Sequence, residues 1–314
     1  MSRPAFRPAW LAWIAAGLCV IAPCAGVRAR ACEIRSITMV PVLLRAGHAL
    51  LAMRIDHRQA WFILDTGAER SLLTPGAVRR LKLKLDPWVG TTSIGIGGSE
   101  RHANALVPRL TLGGMKLRQT FRLPEISFSV GAIPGARGTG VRVDGLLGRD
   151  VLARYDLDLQ FGQGRVTLYR VHGCAGHFLP WWGQYRGTAT LPGYRAMLGI
   201  PARVDGVTLR AMIDTGASGE MLSAAGMARL GLTVAGLAGA PEVRARGVGP
   251  RVVVARFLHL HRMSVAHVTE REVPAVAAPV ILTPLLDLLI GMNWLVRHRV
   301  WLSYATGQVF VATR

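Results

Sequence analysis

Two aspartates stand in matched surroundings, Phe62-Ile63-Leu64-Asp65-Thr66-Gly67-Ala68 and Ala211-Met212-Ile213-Asp214-Thr215-Gly216-Ala217. In each, an apolar run ends on a carboxylate, which is expected to be partly buried and therefore to need hydrogen-bond donors. The glycine that follows permits a tight turn and lets backbone N–H groups approach the carboxylate. Two such carboxyls brought face to face cannot both ionise, so they share one proton. The ionised member is then a general base toward a water, and the protonated member a donor to a carbonyl under attack. The threonine hydroxyls are placed to hydrogen-bond across the interface that joins the two turns.

The elements around the aspartates are duplicated with them. Arg54-Ile55-Asp56 matches Arg203-Val204-Asp205, and Arg80-Leu81 matches Arg229-Leu230, all at the one gapless offset of 149 that relates Asp65 to Asp214. A second block, Leu146-Leu147-Gly148-Arg149-Asp150-Val151-Leu152, matches Leu289-Ile290-Gly291-Met292-Asn293-Trp294-Leu295 at a slightly shorter offset. A period this long is domain duplication rather than a solenoid. The chain divides into an N-terminal segment (1–31), a first lobe (32–172), a linker rich in Gly and Trp (173–187) and a second lobe (188–314). Short β-branched runs such as Leu51–Ile55, Ala60–Leu64, Arg165–Tyr169 and Arg251–Ala255 read as strands. Thr74 to Leu81, its counterpart Ser223 to Leu230, Gly148 to Arg154 and Gly291 to Arg297 read as short helices. Pro124 to Arg142 reads as a surface insertion. The expected fold is mainly β: two homologous lobes about a pseudo-twofold axis.

Taken together, these residues resemble the retropepsin-like aspartic proteases, in the exported bacterial form that fuses two units into one chain. The Asp-Thr-Gly-Ala motif occurs twice, and each copy has its later hydrophobic-hydrophobic-Gly partner, at Gly148 and Gly291. The resemblance implies two acid-protease β-barrel lobes, with Asp65 and Asp214 as the catalytic pair of an aspartic endopeptidase. The shared-proton chemistry is that family's own. It implies further that Thr66, Gly67, Thr215 and Gly216 support the pair. Gly95, Gly97 and Gly98 would form a substrate flap, with Gly247 and Gly249 as its second-lobe counterpart. Neither flap carries the tyrosine of pepsins, and Pro250 and the neighbouring arginines set the second apart. The substrate would be a peptide or protein and no cofactor would be needed. The rival reading is an exported peptide-binding protein that keeps the cleft and hydrolyses nothing.

Composition narrows the compartment and the partners. Arg3 and Arg7, an apolar run from Ala9 to Ala22 and small residues up to Ala31 describe a signal peptide, so the protein is expected to be exported, periplasmic or secreted. The alternative is a tether made by the uncleaved segment. Cys19 and Cys24 would leave with it, and Cys32 and Cys174 would remain as a disulfide. The net charge is +20, with all 38 basic residues Arg except Lys82, Lys84 and Lys116. The arginines are scattered without an aromatic platform, which argues against nucleic acid, though a polyanion binder would share the charge. His172, Cys174 and His177 lie in the linker and His259 and His261 on one strand face, so no metal site is expected. Both aspartates of the pair come from one chain, so a monomer without obligate membrane contact is expected.

Overall fold

The computed structural model describes residues 31–118, 126–133, 135–136, 138–282 and 285–313; the segment expected to be a signal peptide lies outside them, apart from its last residue. Strands dominate, and no α-helix among the described residues exceeds the seven residues of Pro75–Leu81. None is long and apolar enough to cross a membrane.

The second lobe is a closed ring. Strands Ile200–Val204, Val207–Ile213, Leu288–Ile290, Glu220–Leu222, Val268–Ala277 and Val253–Val265 pair in that order, and the last pairs back to the first. Closure removes the exposed edges of the ring. The first lobe repeats the order with His48–Ile55, Arg58–Leu64, Val143–Leu147, Leu72–Leu73, Ile126–Val130 and Gly98–Val107. Its closing strand is broken: Gly98–Val107 stops before Pro108, and Leu110–Leu112 makes the final pairing with His48–Ile55. Proline has no N–H for a ladder, which is the physical reason that the unbroken Val253–Val265 has an interrupted counterpart here. Strand Ile126–Val130 corrects the expectation of a surface insertion from Pro124 to Arg142. Its Ser127, Phe128 and Ser129 are buried, with Phe128 fully so.

A six-stranded sheet joins the lobes, in the order Tyr185–Ala189, Gln308–Ala312, Val300–Ser303, Asp156–Gln160, Arg165–His172 and Glu33–Arg45. At its centre Leu157, Asp158 and Leu159 pair with Leu302, Trp301 and Val300. Asp158 and Trp301 are equivalent positions in the duplicated sequence, so the pseudo-twofold axis passes between them. Leu157, Leu159, Val166, Leu168, Val300 and Leu302 on one face join the main core. The opposite face is covered by the segment expected as a linker. Leu179 and Trp181 are buried there with Trp301 and Phe310, so this segment is a packed strap rather than a free connection. Asp158, fully buried, accepts from Trp181 Nε1 (3.2 Å) and from Arg299 (2.6 and 3.0 Å), which explains how a carboxylate survives under the strap.

The duplicated helices begin where their caps stand. Thr74 Oγ1 accepts from Ala77 N–H (3.1 Å) and Ser223 Oγ from Gly226 N–H (3.2 Å). Cys32 and Cys174 are bonded across a sequence separation of 142, tying the strap to the first strand of the sheet. Such bridges persist in oxidising compartments. Closing a loop of this length in the unfolded chain contributes about 4–5 kcal/mol in the entropic account. Replacing both cysteines with serine is therefore expected to lower unfolding free energy by up to about that amount in a denaturant titration. Aspartate-site geometry should be unaffected.

Candidate active site

Each aspartate sits one residue beyond a strand of its ring. Asp65 follows Arg58–Leu64 and donates its N–H to Leu147 O (3.0 Å); Asp214 follows Val207–Ile213 and donates to Ile290 O (2.9 Å). The parallel neighbours Val143–Leu147 and Leu288–Ile290 thus fix where each turn begins. Gly148 and Gly291 then let the chain pass against the same turns. A Cβ at Gly148 would lie 2.7 Å from the Arg70 backbone, and one at Gly291 would overlap the Gly219 backbone.

The two turns meet at the seam. Thr66 N–H donates to Thr215 Oγ1 (2.9 Å) and Thr215 N–H to Thr66 Oγ1 (3.1 Å). Each hydroxyl in turn donates to the opposite strand, Thr66 to Ile213 O and Thr215 to Leu64 O, both at 2.7 Å. Both threonines are buried. Gly67 and Gly216 serve close approach rather than unusual backbone angles, for neither has a positive φ. A Cβ at Gly67 would overlap the Asp214 carboxyl, and one at Gly216 the Asp65 carboxyl.

The two carboxyls face one another across the crossed turns, each set against the other turn's glycine, and keep only partial contact with solvent. Burial, and then the charge of Asp214, pushes Asp65 up to about 7. Asp214 is also raised by burial, while N–H groups of Gly216 and Ala217 oppose the shift at 2.9 and 3.2 Å from its Oδ1. Asp65 Oδ1 accepts from Ala68 N–H at 2.8 Å. Such a pair holds one proton across a wide pH range and titrates as a unit.

Hairpin Leu85–Gly95 with Gly98–Val107 carries Gly95, Gly97 and Gly98 at its turn, while Gly247 and Gly249 lie in the loop between Glu242–Ala245 and Val253–Val265. The two tips touch: Gly97 N–H donates to Val248 O (2.9 Å) and Arg251 N–H to Gly97 O (3.1 Å). Gly249, at φ +106°, lies so close to Gly97 that a Cβ would overlap it. Pro250 and Arg251 therefore do not hold the second tip away. Ile96 packs onto an apolar cluster of Met212, Met221 and Leu289 in the second lobe, whose counterpart in the first lobe is Ile63, Leu72 and Leu146.

Several supporting residues went unread in the sequence. Asp144 accepts from Trp61 N–H (3.1 Å) and pairs with Arg80 (2.8 Å), and its equivalent Asp287 pairs with Arg210 (2.7 Å) and Arg229 (3.2 Å). Extending the second matched block two residues backward would have found both. Behind the first turn, Ser71 Oγ donates to Asp150 (2.6 Å). The second lobe exchanges the roles: Glu220 stands at the serine position and accepts from Trp294 N–H (2.9 Å), with Asn293 where Asp150 would be. The second carboxylate oxygen of Glu220 is buried without a hydrogen-bond partner, and burial pushes this acid up to about 7. His259 and His261 face solvent, and no metal-suited group of His, Cys, Asp and Glu occurs among the described residues.

A family model described as aspartyl protease matches residues 51–151 and 200–294, one span per lobe. The crystal structure of aspartic proteinase from Irpex lacteus is similar at 13% identity and a TM-score of 0.54, covering 90% of this chain and 97% of that one. At that identity the likeness shows the fold alone. No curated protein matches the sequence significantly.

Thr66→Val strips the hydroxyl from the crossed pair and leaves a buried N–H and C=O without partners. It should cost about 2–4 kcal/mol in chemical denaturation. Glu220 carries a distinct pH signature. Its raised acid contributes stability that is present below the unfolded value of about 4.5 and lost as pH climbs through about 7. Glu220→Gln should therefore gain on the parent protein at pH 8 relative to pH 4, on the order of 2–3 kcal/mol, read from melts at the two pH values.

Proposed function

The chain belongs to the aspartyl protease family, and from that premise we propose that it is an aspartic endopeptidase using Asp65 and Asp214 as a shared-proton pair. The observation that carries this reading is the meeting of two Asp-Thr-Gly turns through crossed threonine bonds, with each carboxyl set against the other turn's glycine. A water bound between them loses its proton to Asp214, the member with more N–H donors. Its oxygen attacks the peptide carbonyl as Asp65 gives its proton to the carbonyl oxygen. The resulting tetrahedral diol collapses when the amide nitrogen takes the proton held by Asp214 and one diol hydroxyl returns its proton to Asp65, which restores the pair. The C–N bond breaks and no covalent enzyme intermediate forms.

Thr66, Gly67, Thr215 and Gly216 act by holding the carboxyls at this separation. An extended peptide would lie beneath the two tips, with Gly95, Gly97, Gly98, Gly247 and Gly249 allowing backbone to close on backbone. The apolar clusters at Ile63 and Met212, placed symmetrically about the pair, suit apolar side chains on both sides of the scissile bond. Because both aspartates belong to one chain, a monomer suffices. The Cys32–Cys174 bond supports export, and the basic, apolar N-terminal segment supports the same reading.

Asp65→Asn and Asp214→Asn test the proposal directly. Each should reduce kcat/KM on a peptide library by roughly 10³-fold or more while the melting profile stays cooperative. Normal digestion of a denatured protein by either variant would refute it. Peptide binding without turnover by the parent protein would favour the silent binding protein instead.

A further inference from the structure

The two aspartate turns are fastened to the short helices behind them by different means. In the first lobe, helix Arg149–Leu152 is held by backbone and side chains together. Arg149 N–H donates to Ala68 O (2.9 Å), Asp150 N–H to Glu69 O (3.1 Å) and Gly148 N–H to Ser71 Oγ (2.9 Å). Asp150 in turn accepts from Ser71 N–H (3.0 Å) and Ser71 Oγ (2.6 Å). The second lobe fastens helix Met292–Leu295 more sparingly. Met292 N–H donates to Ala217 O and Trp294 N–H to Glu220 Oε1, both at 2.9 Å.

Glu220 is a fastener that tolerates no charge. It is 1% exposed, and its Oε2 is buried without a hydrogen-bond partner. The charged and titratable groups around it are engaged elsewhere. Arg297, just past the helix, pairs with Glu270 of strand Val268–Ala277 (2.7 Å) and donates to Asn293 O. His298 stands 3.4 Å from the same Glu270, and its Nδ1 donates to Trp294 O (2.9 Å). The adjoining strands Glu220–Leu222 and Leu288–Ile290 bring apolar side chains. An ionised Glu220 would therefore have one N–H donor and no cation of its own, whereas the neutral acid accepts the same N–H without a buried charge.

What Glu220 fastens reaches Asp214 through one residue. Met292 N–H holds the Ala217 carbonyl, and Ala217 N–H holds Asp214 Oδ1 at 3.2 Å. Undocking the helix at Trp294 loosens Met292, then Ala217, and then the donor on the aspartate. We infer that Glu220 is a positioning residue for Asp214 that fastens the second aspartate turn in its neutral form, so that the turn loosens as this carboxyl ionises. The inference rests on the proposed use of Asp214 and adds to it an upper pH limit set outside the pair. Burial holds Glu220 up to about 7, against 4.5 for an exposed glutamate. Docking of the helix is thus strongest below about 4.5 and has lost this contribution once pH has climbed through about 7.

Amide hydrogen exchange, corrected for the intrinsic rate at each pH, reads the docking directly. In the parent protein the Trp294 amide should lose protection by up to about 300-fold between pH 4.5 and pH 7. Glu220→Gln, whose amide oxygen still accepts from Trp294 N–H but does not titrate, should keep its protection within about threefold over the same range. Amides of helix Arg149–Leu152 serve as the reference against general loosening. Trp294 protection that is flat in the parent, or that falls equally in Glu220→Gln, would overturn the inference. So would a His298→Gln protein that loses the pH dependence, which would assign it to the imidazole. In turnover, kcat/KM should fall several-fold less from pH 5 to pH 7 in Glu220→Gln than in the parent, because titration of the aspartate pair is common to both. Superimposable profiles would count against the role. Exchange needs no substrate, so it judges Glu220 even in a protein that hydrolyses nothing, while Asp65→Asn and Asp214→Asn judge the peptidase reading.

Discussion

Four hydrogen bonds made by two buried threonine side chains determine what the rest of the molecule must do. Thr66 and Thr215 each accept from the other's backbone N–H and donate to the other's incoming strand. A contact of this kind is self-complementary, so each half must present the same turn in the same conformation. One inserted residue between the ring strand and the turn would shift the hydroxyl off its partner and leave two buried backbone groups unpaired. The gapless offset of 149 through this region is the sequence record of that constraint. The later block tolerates a different offset because the intervening tips and loops do not cross the seam in register.

Where the halves differ, the differences are paired. Each lobe needs an acceptor behind its aspartate turn. The first lobe places it on the short helix, as Asp150 serving Ser71, and the second on the strand, as Glu220 serving Trp294 N–H. Moving the carboxylate from one element to the other requires both positions to change, and both have: Ser71 faces Glu220 in the alignment, and Asp150 faces Asn293. A single exchange would have buried either two carboxylates together or none, each costly in a dry interior.

Much of this was legible in the sequence because it depends on local pattern. Asp-Thr-Gly-Ala after an apolar run specifies a strand and a turn, and Thr74 and Ser223 mark helix starts by their capping chemistry. The disulfide followed from the two cysteines left once the N-terminal segment is read as a signal peptide. What escaped depends on partners distant in sequence. Ile126-Ser-Phe-Ser-Val130 has the alternation of a strand, yet its Gly- and Pro-rich flanks concealed it. Asp156-Leu-Asp-Leu-Gln160 alternates acidic or polar with apolar residues and gives no local sign of what covers its aspartates. Both its aspartates are nonetheless buried, because Trp181 of the strap and Arg299 and Trp301 of the other lobe reach them. Glu220 gives no local sign that its second oxygen has no partner.

The molecule is firm on one side of the aspartates and yields on the other. Beneath them, the lobes are joined by paired strands, a buried ion pair, a strap of aromatic side chains and a disulfide. Above them, the tips meet chiefly through the backbone bonds of Gly97 with Val248 and Arg251. Each such bond is worth only about 1 kcal/mol against water, and the side-chain contact made by the tip there is that of Ile96 with the Met212 cluster. Separating the tips is thus cheap, whereas shifting one carboxyl relative to the other means breaking the threonine exchange and the sheet below it. The difference arises from placing most side-chain burial below the seam, with backbone bonds and the single apolar anchor Ile96 above it.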